Sequence, residues 1–300
     1  MTFSIVAIDR EAKEVGLAIA SCCWDAGQVC MARAEMGAIA SQANGNMAFL
    51  RPYFDRLAAG DPVASILERF SADDEEIETR QIGMIAFDGE ALAFTGERCS
   101  SWAGHKIGED YACQGNTLVG SEVIDAMAEA FEQTDGALYA RLYAALAAGD
   151  AAGGDIRGKQ SARLAVKKKG YGQPDSDTFL DIAIEDHAEP VQEIGRILQV
   201  GGTLMHILGL LGQVSQATDA DKKPILDELR EFLDDKRECK YLDWWESLAM
   251  GYHEIGELDK AVFAFREYLA INPALDRVLK DSASKGHFPA DLSRALFGAA

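Results

Sequence analysis

Thr2 is the first residue whose type and position together suggest chemistry. Methionine aminopeptidases remove an initiator Met when the next residue is small. Loss of Met1 would leave Thr2 with a free α-amino group beside its own hydroxyl. Such an amine has a reference pKa of about 7.7–8.0, against about 10.4 for a lysine. It therefore acts as a general base near neutrality, and a threonine carrying its own N-terminus is an activated nucleophile. The chemistry implied is attack on a carbonyl, an acyl-enzyme and its hydrolysis. The residues that follow, Phe3-Ser4-Ile5-Val6-Ala7-Ile8, are apolar without alternation and predict a strand covered on both faces. An ordinary N-terminal strand has the same signature, so the nucleophile reading depends on the rest of the chain.

Other groups able to meet a substrate are polar rather than metal-binding. Gln114 and Asn116 close a predicted strand and suit either a substrate amide or carboxylate, or a cap for the helix after Ser121. Asp155 and Arg157 lie in a glycine-rich loop, as a structural ion pair or a substrate-facing one. The run Gly153 to Lys159 matches G-x-x-x-x-G-K, but Gln160 stands where a phosphate loop requires Ser or Thr. That loop also runs from helix into strand, the reverse of a phosphate loop, which excludes nucleotide binding. Asp186-His187 has neither a serine elbow nor a partnered cysteine, so no triad is expected. His105, His187, His206, His253 and His287 show no ligand spacing, and Cys22, Cys23, Cys30, Cys99, Cys113 and Cys239 contain no C-x-x-C pair. The expectation is no metal, no cofactor and free thiols in a reducing cytoplasm.

The elements that must position these groups follow from periodicity. Val15 to Ala20 returns as a second doubly apolar strand, and Val29 to Ala34 with Gly37 to Ala40 supplies more strand. Phe49, Leu50, Tyr53, Phe54 and Leu57 form one helical stripe, and Asp61-Pro62 opens a second helix. Strands at Gln81 to Phe87 and Ala91 to Thr95 are joined by Asp88-Gly89, a hairpin signal. Tyr111 to Asn116 is a further short strand. Helices follow at Ser121 to Gln133 and Gly136 to Ala148, then strands at Ser161 to Lys168 and Thr178 to Ile184. Doubly buried strands need cover on both sides. The predicted class is α+β: a four-layer α/β/β/α sandwich over residues 1–188, followed by a small all-α domain over 189–300.

The segments Thr2-Phe3-Ser4-Ile5-Val6-Ala7, Gly37-Ala38-Ile39-Ala40-Ser41-Gln42-Ala43, Arg80-Gln81-Ile82-Gly83, Phe94-Thr95-Gly96, Gln114-Gly115-Asn116 and Ala152 to Ala162, with Asp186-His187, resemble the DUF1028 family of N-terminal-nucleophile-like proteins over roughly Thr2 to Leu198. That resemblance implies the sandwich of the N-terminal-nucleophile (Ntn) hydrolases, proteasome β subunits among them, with Thr2 as nucleophile. It also implies roles by position. Arg33 stands near the place where proteasome-type relatives keep a lysine beside the nucleophile, and its permanent charge would favour the alkoxide. Ser21 stands where such relatives place an Asp that orients the amine, with Asp25 as the alternative. The Gln42-Ala43-Asn44 turn lies where the related fold supplies an oxyanion donor, Asn44 as the catalytic group and Gln42 as a substrate contact.

Beyond Pro190 the chain reads as helical, at Val191 to Val200, Leu204 to Val214 and Ile225 to Leu233. Trp245, Leu248, Gly251, Tyr252, Ala261, Phe265 and Pro273 resemble one tetratricopeptide repeat at about residues 241–274. A formal net charge of −20 over 300 residues argues against nucleic acid and anionic membranes. No apolar run is expected to span a membrane, since the longest candidate, Leu204 to Leu211, contains His206. The expected function is an amidohydrolase acting on a small amide or short peptide. The alternative is a catalytically silent scaffold with a helical adaptor. Expected partners are the substrate, a second copy of the chain and a peptide or protein bound by the helical tail.

Overall fold

A computed structural model describes residues 2–235 and 242–298; Met1 and Cys239 lie outside the described residues. Two compact units emerge, Met1–Ile197 and Leu198–Ala300.

The first unit begins with a hairpin of β1 (Thr2–Asp9) and β2 (Glu14–Ser21), followed by β3 (Cys30–Arg33) and β4 (Gly37–Ala43). Helices α1 (Leu50–Ala58) and α2 (Val63–Asp73) lead to β5 (Arg80–Ala86), β6 (Ala91–Thr95), β7 (Trp102–Ile107) and β8 (Tyr111–Leu118). Then come α3 (Glu122–Gln133), α4 (Leu138–Ala151), β9 (Ser161–Lys168) and β10 (Thr178–Ile184). The strands form two antiparallel sheets, ordered β10-β9-β2-β1-β8-β7 and β3-β4-β5-β6.

Packing explains the unalternating strands. Val6, Ile8, Leu17 and Ile19 of the first sheet share a core with Ala38, Ala40 and Ile85 of the second. The opposite face of the second sheet, through Ile39, Ile82 and Met84, packs on Phe49, Tyr53, Phe54, Ile66 and Phe70. On the first sheet, Gly16 of β2 lies against Leu138 and Leu142 of α4, so close that a Cβ there would approach Leu142 to 2.5 Å. Central strands thus bury both faces, and each such Ile, Leu or Phe contributes about 1.5–3 kcal/mol. β5 and β6 do form a hairpin, but through a longer turn than the dipeptide implies, with Gly89 N–H donating to Ala86 O and Ala86 N–H to Glu90 O and with neither Asp88 nor Gly89 at positive φ.

Strand β7 has no counterpart among the predicted elements. It is an edge strand whose exposed His105 and Lys106 break the apolar pattern.

The second unit is helical: the later part of α5 (Pro190–Gln216), then α6 (Asp219–Asp235), α7 (Leu242–Glu254), α8 (Leu258–Ile271), α9 (Leu275–Ser284) and α10 (Ala290–Phe297). Leu226, Leu229, Trp245, Leu248, Tyr252, Phe265 and Leu292 form its core. The first compact unit runs past Pro190 into α5, where Val191 and Ile194 are buried. One expectation is corrected here. Helix α5 runs unbroken through Gly201-Gly202, and it carries no Asp, Glu, Lys or Arg from Ile197 to Gln216. It is consequently the one helix among the described residues long and apolar enough to cross a membrane, with mean hydropathy 1.4 and 17% of that window buried.

Candidate active site

Thr2 opens β1, the strand with neighbours on both sides in the middle of the larger sheet, opposite Asn116 of β8. Its residue is 7% exposed. The Thr2 hydroxyl donates to Ser21 Oγ at 3.4 Å, and Ser21 Oγ also accepts from Cys23 N–H at 3.3 Å. The Thr2 carbonyl accepts from Gln42 Nε2 at 3.1 Å and from Asn116 Nδ2 at 3.4 Å. Thr2 is therefore gripped by both sheets, its hydroxyl by β2 and its carbonyl by β4 and β8.

Behind it lies a buried polar network. Ser4 Oγ donates to Gln42 Oε1 at 2.7 Å and accepts from Gln114 Nε2 at 2.6 Å. Gln81 Oε1 accepts from Gln42 Nε2 at 2.8 Å and from Asn116 Nδ2 at 3.0 Å. Gln81 Nε2 donates to Gly115 O at 2.8 Å and to Thr95 Oγ1 at 2.9 Å. Ser4, Gln42, Gln81, Gln114 and Asn116 are each at most 2% exposed. Gln42 and Gln81 suit the position because one amide both donates and accepts, tying the two sheets together without burying charge, while Gln114 donates from Nε2 and leaves its buried Oε1 without a partner among the described residues. Gly83 of β5 leaves room for the Gln114 amide; a Cβ at position 83 would sit 2.0 Å from Gln114 Oε1.

A second group surrounds the β2 exit. The Asp155 carboxylate accepts from Cys22 N–H at 3.2 Å and Arg157 N–H at 2.8 Å, and its Oδ2 lies 3.3 Å from Arg157 Nη2. Arg157 Nη2 also approaches Cys23 Sγ at 3.9 Å. Burial and the neighbouring Asp155 push the Cys22 thiol up to about 11. Burial opposes ionisation of Cys23 too, but the Ser21 hydroxyl, the positive charge of the chain's N-terminus and the Arg157 guanidinium together outweigh it and hold that thiol below its ordinary value.

A cleft of about 540 Å³ opens at this end of the unit, lined by Asn44, Thr79, Arg98, Ser100, Asn116 and Arg157 among others. Asn116, the ladder partner of Thr2, is one of the lining residues, so the start of β1 lies next to the cleft, one strand in from its wall. Two non-glycine lining residues, Ala43 (φ 67) and Thr117 (φ 51), adopt left-handed backbone. Each costs on the order of 1–3 kcal/mol, a strain that concentrates at functional sites.

The structure gathers Thr2, Ser21, Gln42, Asn44, Gln114, Asn116, Asp155 and Arg157 at one end of the two packed sheets, and gives Gln42, Gln114 and Asn44 surroundings other than those expected. Arg33 is not among them. It pairs with Gly37 at the far end of β4 from Gln42, and its guanidinium stacks on the Phe54 ring at 4.6 Å. The tight turn between β3 and β4 reverses the chain there, so Arg33 is no partner for Thr2. Gln42 and Gln114 do not face a substrate; they are 1% and 0% exposed and serve the network. The Asn44 N–H donates to Thr79 O at 3.2 Å, so it is not available as an oxyanion donor, although Asn44 itself lines the cleft. Asp25 points to the Arg163 and Glu185 side of the β2 exit.

Sequence reading missed Ser4, Gln81, Cys23 and Arg98 as members of the site. Alternation along β1 and β8 is the available signal, because Thr2 and Ser4 share one face, as do Gln114 and Asn116.

A family model described as a family of unknown function (DUF1028) matches residues 2–194. The crystal structure of protein SPO2555 from Silicibacter pomeroyi, assigned to the same family model, is similar with a TM-score of 0.59 and 28% identity, covering 66% of this chain and 88% of that one. No curated protein matches. Since the match runs from the start of β1 into the first turns of α5, the chain belongs to the DUF1028 family.

Proposed function

We propose that the protein is an N-terminal-nucleophile amidohydrolase whose reacting group is Thr2 after removal of Met1. The observation that supports this most is the placement of Thr2: first residue of a central strand, hydroxyl and carbonyl both held, beside a polar cleft. In this reading the two facing sheets and their helices are the four-layer Ntn sandwich. Thr2 Oγ1 attacks a substrate amide carbonyl, and the Thr2 amine takes the hydroxyl proton. The amine returns that proton to the departing nitrogen. A water then cleaves the acyl ester and regenerates Thr2. Ser21 aims the hydroxyl, and Gln42 with Asn116 fixes the backbone that carries it.

The pairing of α7 and α8 through Gly256, with Trp245, Leu248, Tyr252, Ala261 and Phe265 buried, supports reading the tail as a tetratricopeptide-like adaptor for a peptide, a protein or a second copy. A catalytically silent scaffold is the second reading. It is favoured by the position of Arg33, which leaves the proteasome-like cation away from Thr2.

The deciding experiment combines intact-mass analysis of the mature chain with hydrolysis of a small-amide panel by wild type and Thr2→Ala. The amidohydrolase reading requires a chain beginning at Thr2 and activity lost in the variant. A retained Met1, or activity unchanged by Thr2→Ala, overturns it.

A further inference from the structure

The cleft beside Thr2 carries a charge pattern opposite to that of the chain. Against a formal net charge of −20, its charged lining residues are Arg98 and Arg157, and no Asp or Glu lines it among the described residues. Both guanidiniums are anchored from outside the lining. Asp155, whose side chain is 2% exposed, holds Arg157, and Glu76 pairs with Arg98 at 3.5 Å. The side chains of Arg157 and Arg98 remain 44% and 53% exposed. Beside them stand the Asn44 and Asn116 amides and the Ser100 and Thr79 hydroxyls.

We propose that this cleft binds a carboxylate carried by the substrate, so that the amide presented to Thr2 belongs to an N-acyl amino acid or a short peptide with a free C-terminus. The assignment rests on the reading of Thr2 as the reacting group only for which bond is cut; the binding claim stands on the cleft. Guanidinium forks match the planar two-oxygen geometry of a carboxylate, which each can take bidentately. Buried Asp155 offsets Arg157, whereas Glu76 is itself 54% exposed and offsets Arg98 only weakly, so the cleft keeps a small positive excess that favours a singly charged ligand over a dianionic phosphate. A volume of about 540 Å³ fits a small molecule rather than a folded partner. Arg98 and Arg157 are then specificity-determining residues, not catalytic ones.

The test measures binding rather than turnover, so it is independent of hydrolysis. Full-length Thr2→Ala protein is titrated calorimetrically with N-acetyl-alanyl-alanine, with its C-terminal carboxamide and with the phosphonate analogue. The free acid binds about 10-fold or more tightly than the carboxamide, the worth of one charge-assisted hydrogen-bonded contact. Arg98→Gln and Arg157→Gln, added singly, each reduce that preference. Arg98 is the safer variant, since Arg157→Gln leaves the buried Asp155 without its guanidinium; thermal melts confirm that each variant folds. Equal affinity for acid and carboxamide, a preference undiminished by Arg98→Gln, tighter binding of the phosphonate, or no binding of any probe at millimolar concentration overturns the proposal. A clear acid preference in a protein that hydrolyses no amide supports the binding site while removing the amidohydrolase reading.

Discussion

Gly83→Ala is a one-carbon change with a consequence at Thr2. The added Cβ would lie 2.0 Å from Gln114 Oε1 and 2.3 Å from its Cδ, distances no side chain tolerates. Gln114 is fully buried, so its amide has no solvent to swing into. Relief requires moving it off Ser4, breaking the 2.6 Å bond from Nε2 to Ser4 Oγ and loosening Gln42, which holds the Thr2 carbonyl. Overpacking of this kind costs about 1–3 kcal/mol. The broken hydrogen bond adds about 1 kcal/mol. The first unit should therefore lose about 2–4 kcal/mol and melt roughly 5–15 °C lower, given about 2–4 °C per kcal/mol for a unit of this size. Because two units complicate a global melt, the measurement is hydrogen exchange of peptides from β5 and β8 alongside calorimetry. The decisive arm is Gly83→Ala with Gln114→Ala, which makes room for the new methyl. The double variant should be about 1–2 kcal/mol more stable than the sum of the single effects. Strict additivity, or unchanged protection of β5 in Gly83→Ala, refutes the reasoning.

Three further outcomes follow from the same geometry. Thr2→Ala in a protein shown to lack Met1 should lower amide hydrolysis by roughly 10⁶-fold, as removal of a nucleophile does, with no large change in melting temperature. Iodoacetamide at pH 7 should label Cys23 faster than Cys22, because the Cys23 thiol lies below its ordinary pKa and the Cys22 thiol near about 11; peptide mass spectrometry reads the order, and Arg157→Gln should slow the Cys23 reaction. For Asp74, burial opposes the charge, but hydrogen bonds from Arg80 and Asn46 prevail and hold the carboxyl below the ordinary carboxylate value. A lowered folded pKa means its stabilisation is complete above the unfolded value near 3.9 and is lost as pH falls through the folded one. Asp74→Ala should cost about 3 kcal/mol at pH 7, since both partners are nearly buried, and the deficit should shrink below about pH 4 in acid-denaturation curves.

The doubly apolar runs at β1 and β2 and the helical stripe of α1 were legible because burial imposes them on local pattern, and the β5–β6 hairpin because its turn is marked by Asp88-Gly89. Edge strand β7 was not, because an edge exposed to water carries no such imprint. The polar groups of the site were legible as types but not as roles. Gln42 and Gln114 look like substrate contacts in a linear sequence, and only the facing of β4 against β1 and β8 turns them inward. Arg33 shows the opposite failure. Its distance along the chain from Thr2 suggested a neighbour, but chain distance says nothing once β3 and β4 reverse direction between Arg33 and Gly37. Arg98 lies outside every motif, since its relation to Arg157 exists only where two separate loops meet at one cleft.

None of Ser4, Gln42, Gln81, Gln114 and Asn116 changes charge anywhere between acid and alkali that a folded protein survives. The seat beneath the first strand thus carries no titrating charge of its own, and acidity reaches it through Thr95, whose hydroxyl joins Gln81 to the His105 ring. An inflection in a rate-versus-pH curve then belongs to groups outside those five side chains, and a His105→Gln variant separates the ring beneath the strand from the groups exchanging protons above it.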